Sequence, residues 1–106
     1  MKLVIPSECK IAAFTYSIVT NDKLLEKLED RASCNIKEQI IRLQKKEVKA
    51  EQIFVELLHE IDHLIDDVTG SKTDEEVRIA KTNILAQVLL SLGIEPDFSQ
   101  IPEEEI

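Results

Sequence analysis

The chain has no tryptophan, and aromatic residues make up only 4% of its 106 positions. Its core must therefore be aliphatic. Two glycines and three prolines leave little material for flexible linkers, and no internal repeat is visible. At this length one domain with a modest core is expected. No apolar run approaches the roughly 20 residues of a membrane-spanning helix. Basic residues are outnumbered, 13 Lys and Arg against 21 Asp and Glu, for a formal net charge of −8. This balance lacks the electrostatic footprint of nucleic-acid binding and repels anionic membrane surfaces. The opening run Met1–Pro6 is too short for a signal-peptide core and carries no cleavage site. Cys9 and Cys34 are isolated, without CxxC spacing, and fit reduced thiols at buried or half-buried positions. A cytoplasmic location is the expectation.

What is present is concentrated in one stretch, Phe54–His63. It holds the only two histidines, His59 and His63, with Glu60 directly after the first. This is the HExxH arrangement, which on a helix turns two imidazoles to one side with a carboxylate beside them.

Several segments lead up to it. Phe14–Val19 is β-branched and aromatic with period-two alternation, which predicts a strand, and Leu3-Val4-Ile5 reads as a short partner ended by Pro6. Asn21 or Asp22 is placed to cap a short amphipathic helix within Lys23–Asp30, built on Leu24, Leu25 and Leu28. Cys34–Gln44 is ambiguous. Asn35 followed by Glu38 fits a capping box opening a helix, whereas Ile41-Arg42-Leu43-Gln44 alternates like a strand.

From about Val48 to Asp67 the pattern is helical. At ~100° per residue, Ile53, Phe54, Leu57, Leu58, Ile61, Leu64, Ile65 and Val68 form one broad stripe. His59 and His63 lie roughly opposite its middle, so they are not core histidines. Glu56, Asp66 and Asp67 are within a turn of a histidine and can accept from imidazole N–H groups. Gly70 stands where a left-handed cap is wanted. Thr73-Asp74-Glu75-Glu76 reads as a capping box for a second helix, with Val77, Ile84, Leu85, Val88, Leu89 and Leu92 as its apolar positions and Gly93 as its stop. After Pro96 the acidic tail, Asp97–Ile106, is expected to be loose, with Phe98 and Ile101 able to dock. Residues 1–95 form the domain and 96–106 the tail.

The chemistry follows from the residue types. Two neutral imidazoles one helical turn apart can both reach a Zn²⁺ at about 2.0–2.1 Å. Glu60 stands beside the attacking water as general base rather than ligand. A catalytic zinc needs a third protein ligand, and with no further histidine it must come from Asp, Glu or Cys. Glu76 is the first candidate, against its competing role in the capping box. Glu75 comes next, then Asp67 or Asp66.

These residues resemble the minimal HExxH metallopeptidase-like proteins of phages and prophages, related to the ImmA/IrrE group of zincins. The likeness rests on Leu57–His63, preceded by the strand Phe14–Val19 and the segment Cys34–Leu43, and followed by the acidic helix start Asp74-Glu75-Glu76-Val77. It covers roughly residues 11 to 92. It implies an α+β fold with a short sheet packed on the motif helix, followed by a C-terminal helix. It also implies a strand around Gln39–Gln44 that borders the cleft and can pair with extended substrate. His59 and His63 are then zinc ligands, Glu60 is the base, the third ligand comes from the helix beginning at Asp74, and a peptide or protein is the substrate. Two features depart from the pattern: a carboxylate at Asp62, where a small or apolar residue is usual, and no His or Tyr after the motif to stabilise an oxyanion. Tyr16 is the only tyrosine. The rival reading is a non-catalytic interaction protein with a structural or vestigial zinc site, completed by a fourth ligand such as Asp67 or Glu56.

Overall fold

Alternation of buried and exposed side chains sets the sheet. The computed structural model describes residues 1–104. The elements run β1 (Lys2–Val4), β2 (Glu8–Ile11), β3 (Phe14–Thr20), α1 (Leu24–Leu28), β4 (Ala32–Asn35), β5 (Ile40–Leu43), α2 (Ala50–Thr69), α3 (Glu75–Ser91) and β6 (Glu95–Asp97). The fold is α+β. A four-stranded mixed sheet has the order β2-β3-β5-β4, with β3 and β5 parallel and the outer pairs antiparallel. Tyr16 and Ile18 on β3 and Ile41 and Leu43 on β5 point into the core, where Phe54, Leu57 and Leu64 of α2 meet them. Ile18 pairs with Ile41, and Ile41 with Cys34, so all three occupy the helix-facing side.

The ambiguous segment is a hairpin. Asn35 Oδ1 accepts from the Glu38 N–H at 2.9 Å, and Gln39 adopts φ 57°, so the chain turns back into β5. The same Asx hydrogen bond can open a helix or close a turn, which is why spacing alone left both open. The strand expected at Gln39–Gln44 is present, but it lies inside the sheet. β4 is the edge strand beside α2.

Three further expectations change. Leu3-Val4-Ile5 does not partner β3: β1 pairs in parallel with β6, and β3 is joined in a hairpin to β2. The β2–β3 turn is Ala12-Ala13, with Ala12 at φ 56°, and no Gly or Asn announces it. Secondly, the segment after Pro96 is anchored through residue 104. Phe98 and Ile101 are buried, Thr20 exchanges backbone bonds with Pro102 and Glu104, and the Glu104 carboxylate meets Arg42 Nε at 2.9 Å. Two apolar side chains and one paired carboxylate outweigh the acidic composition. Glu105 and Ile106 of the expected tail lie outside the described residues.

The third change concerns α3. Of its expected apolar positions, Val77, Ile84, Leu85, Val88 and Leu92 are exposed, while the buried stripe is Arg78, Thr82 and Ala86. The sheet already covers the apolar face of α2, so α3 docks on that helix's polar flank. Small side chains at 82 and 86 permit close approach, and the charge at 78 is paired there. No helix among the described residues is long and apolar enough to cross a membrane.

Candidate metal centre

Both histidines come from the middle of α2, a 20-residue helix closed by Gly70 in the left-handed conformation, φ 73°. The third member comes from the start of α3. Its N-cap is Asp74, whose side chain accepts from the Glu76 N–H at 3.2 Å. The cap is thus one residue later than a Thr73 capping box would place it. Glu75 becomes the first helical residue and Glu76 the second.

This register decides which carboxylate reaches the histidines. Glu75 Oε1 is 2.7 Å from His59 Nε2, and Glu75 Oε2 is 3.5 Å from His63 Nε2. The two Nε2 atoms are 3.2 Å apart. One ligand atom from each of the three residues lies within 4.8 Å of the others, and this group could hold a metal ion. Tetrahedral donors about 2.0–2.2 Å from a central Zn²⁺ are spaced at roughly 3.3 Å, so the donor set and its spacing fit. Glu76 and Asp67 are exposed and Asp66 is half-buried, and all three lie outside this group.

Asp66 is engaged elsewhere. It accepts from the Thr73 N–H at 2.9 Å and the Thr73 hydroxyl at 3.0 Å, and it pairs with Arg78. The Thr73 backbone bond foremost holds its carboxyl below the ordinary range. Arg78 also donates through Nε to Asp62 at 3.0 Å and through Nη1 to Glu75 Oε2 at 2.9 Å. Burial opposes the charge on Glu75, but the Arg78 bond and the two histidines prevail and hold its carboxyl below the usual value. Asp62, the departure from the usual motif, is therefore, with Asp66, an α2 anchor of the guanidinium that steadies Glu75. Sequence reasoning missed Arg78. The signal available was its i, i+3 spacing from Glu75, together with acids at 62 and 66 one turn apart on the preceding helix.

Glu60 is oriented differently from the histidines. On the helical wheel it falls at the edge of the sheet-facing stripe, about 40° from Leu64 and about 60° from His63, and it is 7% exposed. Burial raises its pKa, while the Cys34 thiol and both histidines act in the opposite sense. Cys34, from edge strand β4, is pushed up to about 12 by its own burial and by the Glu60 carboxylate. Cys34 should accordingly resist alkylation: iodoacetamide at pH 8 labels it at least tenfold more slowly than a free thiol, and labelling at the free-thiol rate would contradict this contact.

The residues open onto a cleft of about 490 Å³, lined by His59, Glu60, His63 and Glu75 with Asp30, Ala32, Gln52, Val55, Glu56, Ile79 and Asn83. Tyr16, 1% exposed between sheet and helix, does not line it. The neutral side-chain donors at the cleft are the amides of Gln52 and Asn83. No known protein-family model matches the chain, and neither do curated proteins or solved structures.

Proposed function

We propose that this protein is a zinc-dependent metallopeptidase of the minimal zincin type, with His59, His63 and Glu75 as metal ligands and Glu60 as general base. The observation that carries the reading is a buried glutamate facing an open cleft beside three converged donors. A buried carboxylate carries a desolvation cost that packing does not explain, and such placements are frequent where proton transfer is needed. When bound, the zinc would lower the pKa of water towards ~7 and polarise the scissile carbonyl.

The remaining work falls to the chain. The Glu60 carboxylate takes a proton from the attacking water as its oxygen bonds to the carbonyl carbon. It then gives that proton to the leaving nitrogen as the C–N bond breaks. Among the described residues β4 pairs with β5 along one side only, so its other edge can hold an extended peptide by backbone hydrogen bonds. The structural-zinc alternative requires a closed set of four protein ligands. Neither Glu56 nor Asp67 joins the three donors among the described residues, which favours a site with an open position. Free thiols at Cys9 and Cys34 suit a reducing cytoplasm.

Zinc-loaded protein should cleave an unfolded substrate such as reduced casein, and a chelator should stop it. Stoichiometric zinc with no cleavage of casein or of a mixed peptide library would overturn the peptidase reading.

A further inference from the structure

The cleft wall carries more negative charge than the chemistry uses. Among the described residues four carboxylates line it, Asp30, Glu56, Glu60 and Glu75, and no lysine or arginine does. Glu75 is matched by Arg78 and the histidines, and Glu60 is the buried base. Two remain. Glu56 is half-buried one helical turn before His59, where its Oε1 accepts from Gln52 Nε2 at 2.7 Å. Asp30 stands in the loop that enters edge strand β4. Among the described residues neither makes an ion pair.

We propose that Glu56 and Asp30 make this a cleft for cationic peptides, accepting lysine or arginine side chains next to the bond presented to the His59–His63–Glu75 centre. The proposal rests on the metallopeptidase reading and adds the substrate class. Its physical basis is placement. Glu56 belongs to the helix that supplies both histidines, and Asp30 stands two residues before Ala32, the first residue of β4, which also lines the cleft. A peptide lying along β4 therefore passes both carboxylates. Gln52 holds the Glu56 carboxylate through a neutral amide, fixing its position while leaving its charge uncompensated. An arginine or lysine would supply the missing counter-charge.

Binding tests this without turnover. Zinc-loaded Glu60→Gln protein is titrated against fluorescein-labelled hexapeptides of alternating alanine with lysine, glutamine or glutamate, read by anisotropy. The lysine peptide should bind at least tenfold more tightly than the glutamate one, with the glutamine peptide between them and the gap narrowing as salt is raised. Adding Glu56→Gln and Asp30→Asn together should weaken lysine-peptide binding by roughly tenfold, with Glu56 the larger contributor because it is less exposed. Glu8→Gln, on β2 at the opposite edge of the sheet, makes the same change per residue in net charge and should leave the preference unaltered. Equal binding of the three peptides, a preference that survives the double variant, or an equal loss with Glu8→Gln would overturn the proposal. Zinc content is measured on the same samples. Loaded protein without a preference overturns the substrate class alone, whereas protein that holds no zinc overturns the metallopeptidase reading and this proposal with it.

Discussion

Glu60→Gln is expected to keep its zinc and lose turnover by about 10²–10⁴-fold, the usual contribution of a positioned general base. The change is nearly isosteric and touches none of the three donors. The amide fills the same buried space but cannot accept the water's proton. Stability should move the other way. Burial raises the Glu60 pKa above its ordinary value, so the folded chain holds this proton more tightly than the unfolded one. That preference costs stability as pH rises through the raised value. Glutamine removes it. Metal-free Glu60→Gln should therefore melt at or above the wild-type temperature, the pattern expected where a functional group is kept at the expense of stability. Turnover within threefold of wild type would mean that another group accepts the proton.

Arg78→Gln should have the largest effect of any substitution that touches neither metal nor substrate. The Arg78 side chain is 5% exposed and joins Asp62, Asp66 and Glu75, tying the first turn of α3 to the polar flank of α2. Without it three carboxylates face one another, with Lys81, at 2.9 Å from Asp62, still paired to one of them. Removing one partner of a deeply buried pair costs about 3–5 kcal/mol. This cluster is covered by its own side chains but lies near solvent, so roughly 2 kcal/mol is the better figure after screening. For a chain of this size that corresponds to a fall of roughly 10 °C in melting temperature. The pH dependence has a definite sign. Glu75 and Asp66 are held below their ordinary values, so the stability they contribute is present at neutral pH and lost as pH falls through those lowered values. The gap between wild type and variant should accordingly close on acidification below about pH 4. Zinc affinity should drop roughly 10–100-fold, because Glu75 loses the bond that fixes its second oxygen. Unchanged melting and unchanged zinc binding together would show that Glu75 needs no such support.

Much of the framework was legible because it rests on local patterns. The Phe14–Val19 strand, the motif helix and its Gly70 cap follow from alternation, a 3.6-residue stripe and a glycine that reaches positive φ without strain. Less legible were features that depend on partners distant in sequence. β2 is too polar to read as a strand and exists through its hairpin with β3. The packing face of α3 was misplaced because its apolar side chains outnumber the small ones, yet only Thr82 and Ala86 allow the helices to approach. The site divides in the same way. His59, Glu60 and His63 belong to one helix, and spacing alone sets them together. The third carboxylate depends on a one-residue shift in where α3 begins, which the adjacent acids Asp74, Glu75 and Glu76 leave open until Asp74 is seen to cap.

That shift supplies the most direct test of the metal centre. Zinc affinity is measured by competition with a chromophoric chelator for wild type, His59→Ala, Glu75→Ala and Glu76→Ala. The proposed centre predicts one zinc per wild-type chain, binding weakened at least 100-fold by His59→Ala and Glu75→Ala, and wild-type affinity for Glu76→Ala. Zinc held equally by His59→Ala, or lost with Glu76→Ala and kept with Glu75→Ala, would contradict a centre built from His59, His63 and Glu75.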